Sequence, residues 1–406
     1  MMYFKLAWRN MWRSRRRTLI TISSIFFAVL FAVLMRVMVV GIFDKMITDT
    51  VSMSCGYLQV HQQGFWTSRS IDSTMQADPK LNSLLDADKQ VSAWTPRVES
   101  FALASSGDKT RGILVMGIDP ARENKVSSLK KKITSGTYLG DNENCVMLAE
   151  GLATYLKLKV NDTVILLGQG YQGNMASGRY TVKAIVSLGT PEMNKALVWM
   201  PMQQAWNFLS TGERYTSISL LMNDRNDLES TRTNILKSST GKQYEVMTWK
   251  EMIPELDQFF QAKMVQNVIM SGILYLVIAF GIFGTILMML NERMHEFGIL
   301  IAIGMKKKLL AGTVVLEMIL LSIAGTLFGI CGAYPLVYYL WLHPIRMGGS
   351  WGKVAERFNM EPVLRPSLDL SHFLLQGYIV LIMSTLLSIY AIYRIYRIKA
   401  MEAINS

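Results

Sequence analysis

The side chains that could do covalent chemistry in this chain are few, and their spacing gives them no common site. Four histidines, His61, His295, His343 and His372, are scattered, with no pair spaced to present two imidazoles to one metal ion. Cys55, Cys145 and Cys331 form no metal-binding or redox element. A phosphate-binding loop needs Lys-Ser/Thr after its glycines. Gly241-Lys242 is followed by Gln243, and the Gly-rich segment Gly168 to Gly178 (GQGYQGNMASG) lacks that ending. No strand–elbow–helix nucleophile is expected either. The charges with a usable spacing lie in one stretch, Asn291 to Lys308, which reads NERMHEFGILIAIGMKKK. Glu292 and Glu296 stand one helical turn apart, beside Arg293 and His295. Gly298 and Gly304 bracket the apolar patch Ile299, Leu300 and Ile301, and three lysines follow. An acidic first turn and a basic last turn suit the dipole of a short helix. An apolar ridge with charged flanks suits docking into a partner's groove. The alternative is an ordinary positively charged cytoplasmic loop.

This stretch is positioned by two long apolar runs, Val268 to Leu290 and Leu309 to Leu340. About 20 apolar residues cross a hydrocarbon layer, and both runs suffice. Two more, Leu19 to Val40 and Phe373 to Tyr390, make four spans. The chain has 406 residues, 50% of them hydrophobic, and a mean hydropathy of +0.24. A membrane protein with a sizeable water-exposed domain fits these figures. The net charge of +12 comes from 42 basic and 30 acidic residues. The basic residues gather at span ends: Lys5, Arg9, Arg13 and Arg15–Arg17 before the first, Lys306–Lys308 in the central loop, Arg394, Arg397 and Lys399 after the last. That pattern reports a cytoplasmic side, with both termini inside, and no nucleic-acid partner. Leu19 to Val40 reads as a retained anchor, because it is of span length and no small-residue cleavage site follows. Arg36, near its outer end, reads as snorkelling to the far interface.

The expected order is a basic amphipathic helix at 1–18 and spans at 19–41, 266–290, 309–340 and 373–396. An α+β extracytoplasmic domain occupies 42–265, the cytoplasmic loop 291–308, an outer loop 341–372 and a basic tail 397–406. Within the domain, strands are expected at Tyr57–His61, Val98–Ala104, Gly112–Gly117, Thr163–Leu167, Tyr180–Val186, Ala196–Trp199 and Ser217–Leu221. Helices are expected at Pro79–Asp86, Glu150–Leu156, Met202–Leu209 and Asp227–Lys237, with Trp249 to Lys263 running into the second span. Gly168 to Gly178 reads as a protruding hairpin, with Tyr171 and Met175 near its tip. Cys55 and Cys145 both fall outside the cytoplasm, where a disulfide between them is one alternative. In the third span, Glu317 is an intramembrane acid for which a packing or hinge role is expected over proton relay. Gly325, Gly329 and Ala333 follow at four-residue spacing, which lets another helix approach closely.

Four passages together resemble the ABC-transporter permeases of the FtsX/MacB/LolC–LolE family: AWRNMWRSRRRTLIT at the first span, LAEGLATYLKLKVNDTVILLG in the outer domain, HEFGILIAIGMKKK with VVLEMILLSIAGTLFGICGA, and KAMEAI near the end. In the last, Ala400 stands where the family commonly has proline and Ile404 where it has leucine. The resemblance implies a four-helix permease with a MacB-like periplasmic core domain between helices 1 and 2. It also implies a dimer with a second copy or a paralogue, and a separate ABC ATPase that binds ATP and Mg and sits on Glu292, Glu296, Gly298–Ile301 and Gly304. Movement, rather than a solute, would cross the inner membrane, and this chain itself would hold no cofactor and catalyse nothing. Length and layout are most similar to the lipoprotein-releasing type, which implies lipoprotein and a periplasmic carrier as partners and places Gly168–Gly178 where a carrier hook would stand. Phe27, Leu30, Leu34 and Val37 on the first span, with Met264 and Val268 on the second, would then face the acyl chains of cargo. A MacB-like efflux permease and an FtsX-like regulator of a cell-wall hydrolase are the alternatives.

Overall fold

The computed structural model describes residues 15–188, 191–238, 243–346, 348–349 and 363–397. The expected amphipathic helix before residue 15, the KAMEAI passage and most of the outer loop, including Trp351 and Pro362, lie outside them. The chain divides into two compact units, one made of 1–44, 260–346 and 363–406, the other of 45–259 and 347–362.

Residues 45–259 build an α+β domain. In chain order, α1 (Arg15–Ser54) enters it, followed by β1 (Leu58–Gln62), α2 (Phe65–Ser68), β2 (Met75–Gln76), α3 (Pro79–Ala87), β3 (Val91–Ser106), β4 (Lys109–Ile118) and α4 (Pro120–Ser127). Next come β5 (Ile133–Gly136), β6 (Cys145–Ala149), α5 (Glu150–Leu156), β7 (Thr163–Gln169), β8 (Met175–Val186), α6 (Pro191–Asn194), β9 (Leu197–Pro201) and α7 (Met202–Leu209). Then β10 (Arg214–Tyr215), β11 (Ser217–Met222), α8 (Leu228–Lys237), β12 (Tyr244–Thr248) and α9 (Trp249–Met252) complete it. Nine strands run in the order β12-β1-β11-β3-β4-β9-β6-β8-β5, and β7 bridges β3 and β8. Alternation sets the buried face: in β8, Tyr180, Val182, Ala184 and Val186 are buried while the residues between them are exposed or half-buried. Gly107-Asp108 closes β3 onto β4, with Gly107 at φ 57° as a two-residue hairpin requires. Asp119 starts α4 by accepting from the N–H of Ala121 and Arg122, with Pro120 at the first helical position.

One buried ion pair ties this domain together. Arg97 on β3 donates to Glu123 on α4 through Nη2 (2.8 Å) and Nε (3.0 Å), and its Nη1 reaches the Ser54 carbonyl at the end of α1 (2.6 Å). Burial is the largest single influence and lowers the guanidinium's pKa, but the charge and hydrogen bonds of Glu123, with Glu99 and Cys55 behind them, together hold it above its ordinary value.

Residues 260–346 and 363–397 join the first part of α1 to form the apolar bundle. Its helices are α10 (Pro254–Glu292), α11 (Met294–Ala302), α12 (Lys307–Leu342) and α13 (Leu370–Tyr396), with a small ribbon of β13 (Ile345–Arg346) and β14 (Val363–Leu364) between the last two. Four of these helices are long and apolar enough to cross a membrane: 18–54, 254–292, 307–342 and 370–396.

Two boundaries differ from expectation. The first helix does not end near residue 41 but continues to Ser54, with Met46 and Met53 buried seven residues apart on one face, and the chain turns only at Gly56, φ 73°. The helix expected from Trp249 through Lys263 is instead broken. Ile253 (φ −131°, ψ 69°) stands before Pro254, whose ring disfavours helical geometry in its predecessor.

The cysteines are also settled: Cys55 and Cys145 are both buried free thiols, so the disulfide alternative is corrected. Burial pushes Cys55 up to about 11 and Cys145 up to about 12, the latter helped by Glu143, so neither is poised as a thiolate.

Candidate functional site: a docking helix anchored to a buried ion pair

The helix α11 is defined at both ends by backbone chemistry. At its start the Phe297 N–H donates to the Arg293 carbonyl (2.9 Å). At its end Met305 N–H donates to the Leu300 carbonyl and Gly304 N–H to the Ile301 carbonyl, both at 3.0 Å. This crossed pair is a Schellman closure. It requires the left-handed conformation that Gly304 adopts at φ 101°. The chain is thereby turned into α12 within four residues.

The two faces of α11 differ sharply. Arg293, Phe297 and Gly298 are buried. His295, Glu296, Ile299, Leu300 and Ile303 are exposed, as is Glu292 at the end of α10. The spacing of three and four residues from His295 to Ile303 forms one ridge, polar at its start and apolar beyond, with Glu292 just ahead of it. The apolar patch expected from the sequence, Ile299 to Ile301, is therefore divided. Ile301 packs partly buried against the bundle core, and Ile303, 78% exposed, takes its place on the ridge. A helix face has period 3.6, so three consecutive residues cannot share it.

Beneath the ridge lies the pair that anchors it. Arg293 Nη1 donates to Glu317 Oε2 at 2.6 Å, and Glu317, on α12, is only 1% exposed. Arg293 Nε also lies 3.5 Å from Glu296 Oε2, and its guanidinium is 5.4 Å from the Phe297 ring. An arginine at the start of the 291–308 stretch is thus bonded into the third apolar helix. Reading Glu317 as a packing residue left its partner unnamed. The signal available was charge balance, since an acid within a span needs a cation, and Arg293 was the arginine in the adjoining loop. Lys307 Nζ donates to the Tyr396 carbonyl (2.9 Å), placing a cation at the C-terminal end of α13.

Gly325 and Gly329 lie against α1. A methyl on Gly325 would stand 2.7 Å from Ile25 Cβ, and one on Gly329 would stand 2.7 Å from Val29 Cβ. On the other side of α12, Gly377 of α13 faces Thr326 and Ile330.

Of the residues expected to face cargo, Phe27, Met264 and Val268 are exposed on their helices, while Leu30 and Leu34 are partly buried against the bundle core. Val37 is corrected: it is fully buried, and its carbonyl accepts from the Ser367 N–H (2.9 Å). It sits on the inward stripe of α1 with Val29 and Val33, a register that composition alone does not fix.

In the outer domain, Gly168–Gly178 does form a hairpin, since Gln169 pairs with Met175 and Gly168 with Ala176. Its tip is not a free arm, however. The Gln172 N–H donates to Asp72 (2.6 Å), the Arg214 guanidinium lies 5.0 Å from the Tyr171 ring, and β7 is also paired to β3. Met175 remains 85% exposed. One Gly-x-Ser-x-Gly spacing does occur, at Gly348–Gly352. It follows the two-residue β13, and Ser350 falls outside the described residues.

Comparison with known proteins agrees with this architecture. The family described as MacB-like periplasmic core domain matches residues 18–237, more than half of the chain, and that described as FtsX-like permease C-terminal matches 268–400. The chain belongs to the FtsX/MacB family of ABC-transporter permeases. Permeases of this family work with an ATPase subunit and lack an ATPase site of their own. It is accordingly a multi-pass membrane protein with a large extracytoplasmic domain. The chain is 25% identical to the lipoprotein-releasing system transmembrane protein LolC of Xylella fastidiosa, over 73% of this chain and 71% of that one. It is 21% identical to the corresponding LolE of Haemophilus influenzae, over 74% of each. Among solved structures, the periplasmic region of MacB from Actinobacillus actinomycetemcomitans covers 52% of this chain and 98% of its own length, at 18% identity and a TM-score of 0.37.

Proposed function

We propose that this permease releases lipoproteins from the outer leaflet of the bacterial inner membrane, driven by a separate ATPase that docks on α11. The observation that carries the reading is the exposed ridge of Glu296, Ile299, Leu300 and Ile303, with Glu292 just ahead of it, above the buried Arg293–Glu317 pair. A ridge alone could bind a partner. A ridge bonded into a span can also pass the partner's movement into the membrane. ATP and Mg belong to the ATPase, and this chain supplies the lever. The LolC and LolE relatives, similar over about three quarters of the chain, support lipoprotein as cargo.

The permease acts as a dimer, with a second copy or a paralogue. From Gln261 to Ile273 nearly every residue of α10 is exposed within one chain, Met264, Val268, Ile269 and Ile273 among them. A partner's helices and the acyl chains of cargo are what this surface would meet. Burying acyl chain there gains about 0.8 kcal/mol per methylene.

The test is lipoprotein release from inner-membrane vesicles containing the complex, with ATP and soluble periplasmic carrier. Wild type releases lipoprotein, and Val268→Asp retains it with ATPase docking intact. If depletion of this chain leaves lipoprotein sorting normal while drug export or wall cleavage changes, the efflux or regulatory reading replaces this one.

A further inference from the structure

Arg36 lies on the inward stripe of α1, not on its lipid-facing side. The buried residues of that stripe are Ile25, Ala28, Val29, Ala32, Val33 and Val37, and the exposed aromatic rings Phe27 and Phe31 mark the opposite face. Position 36 is seven residues from Val29, four from Ala32 and three from Val33, which at 3.6 residues per turn puts it among them. Its Nε is enclosed with no hydrogen-bond partner, and among the described residues its guanidinium makes no ion pair. An arginine that simply snorkels has its head in water. This one is half-buried, and its Nε is an enclosed donor without a partner, which is costly.

Its depth follows from helix register. Gly325 meets Ile25 and Gly329 meets Val29, so α1 and α12 run in step at a constant offset. Carried upward, Arg36 is level with Leu336, between Tyr334 and Tyr338. Those two rings stack with centroids 6.4 Å apart, and Tyr338 stacks on Trp341 at 6.3 Å. Tyr334, Tyr338, Tyr339 and Trp341 are all exposed. Such an aromatic belt marks the headgroup layer. About five residues higher, a methyl on Gly41 would strike the Arg365 carbonyl at 2.2 Å, and the Arg365 guanidinium lies 5.6 Å from the Trp341 ring. Asp369, the nearby acid, is engaged in capping α13 through the Ser371 N–H. The outer end of the bundle therefore holds two arginines and a ladder of rings at headgroup depth.

We infer that Arg36, with Arg365 above it, binds the phosphate of an outer-leaflet phospholipid held against α1 and α12. A guanidinium and a phosphate make short, charge-assisted hydrogen bonds in pairs, which satisfies the enclosed Nε. The Tyr334–Tyr338–Trp341 ladder gives the glycerol and upper acyl chain a rigid apolar wall. The inference rests on the membrane topology alone and stands whatever the cargo proves to be.

The experiment uses the full-length chain purified in detergent, stripped of lipid, and titrated with phosphatidylglycerol or with diacylglycerol of the same acyl chains. Bound lipid is counted by native mass spectrometry. Phosphatidylglycerol is expected to bind at least tenfold more tightly than diacylglycerol, and excess inorganic phosphate should not displace it. Arg36→Gln should remove that preference, Arg36→Lys should keep part of it, and Arg365→Gln should weaken it by a few fold. Arg36→Met should unfold no more readily than wild type in lipid-free detergent, which keeps the test independent of folding. Equal binding of the two lipids, or an unchanged preference in Arg36→Gln, overturns the inference. So does loss of dimer in Arg36→Gln with bound phospholipid unchanged, because the arginine would then pair with a second chain.

Discussion

Replacing Arg293 by Met and Glu317 by Leu, singly and together, separates an anchored lever from a loop that merely lies against the bundle. Glu317 is 1% exposed and Arg293 is 2.6 Å away, so either single change takes from an enclosed charge its short buried ion-pair contact. Breaking such a pair costs about 3–5 kcal/mol, whereas replacing both members with apolar side chains of similar volume is close to neutral. The double variant should therefore recover most of what each single one loses, a coupling energy of at least ~3 kcal/mol. Unfolding of the purified permease in mixed micelles, followed by helicity, measures all four proteins of the cycle. The double variant also has a functional signature. Its bundle is intact, but α11 is held only by packing, so the ATPase should still dock while turnover and release are poorly coupled. Single variants within ~0.5 kcal/mol of wild type, or losses that simply add, would refute the reasoning.

Four further outcomes follow from the geometry. Gly304→Ala forces a side chain into φ 101°, should cost roughly 1–2 kcal/mol and should weaken ATPase docking without altering the outer domain. Gly329→Val overfills the contact with Val29 and should cost about 1–3 kcal/mol in bundle stability, read by the same micelle unfolding. His61 is buried with its pKa pushed down to about 4, chiefly by burial, so its neutral form favours the fold. Its share of outer-domain stability is present above pH 6.5 and is lost as pH falls toward 4, by at most about 3 kcal/mol. Glu99, held above its ordinary range by burial, titrates in the opposite sense, so the comparison must be wild type against His61→Phe, whose acid sensitivity should be smaller. Finally, Met175→Asp should leave the outer domain's stability unchanged, since the side chain is 85% exposed, and should lower carrier capture if the hairpin is a hook; a calorimetric scan and a carrier pull-down read the two effects.

Much of this architecture could be read from residue patterns. Four apolar runs give their own length and order, and positive charge at their ends gives the sides. The helices Glu150–Leu156 and Met202–Leu209 were legible to the residue, because strands and turn residues delimit them closely. Strands such as Tyr244–Thr248 and Ile133–Gly136 were not, being short sheet-edge pieces whose pairing partners lie far away in sequence. The break at Ile253 could have been anticipated from Pro254 alone. At the docking loop, composition located the ridge but could not divide it. Which of Ile299, Leu300, Ile301 and Ile303 faces outward depends on where α11 begins, and Arg293 sets that start through its bond to Glu317. Val37 was misplaced for the same reason: the inward face of a helix apolar on all sides is decided by its neighbours.

Docking of the ATPase on the α11 ridge, as proposed, can be read directly by crosslinking. A photoreactive phenylalanine analogue placed at Ile303, and separately at Ile301, measures this in membranes containing the whole complex. A strong crosslink to the ATPase is expected from Ile303 and little from Ile301, with Ile303→Asp abolishing copurification while the permease stays folded. Equal crosslinking from both positions, or an ATPase that still copurifies with Ile303→Asp and hydrolyses ATP under normal coupling, would contradict it.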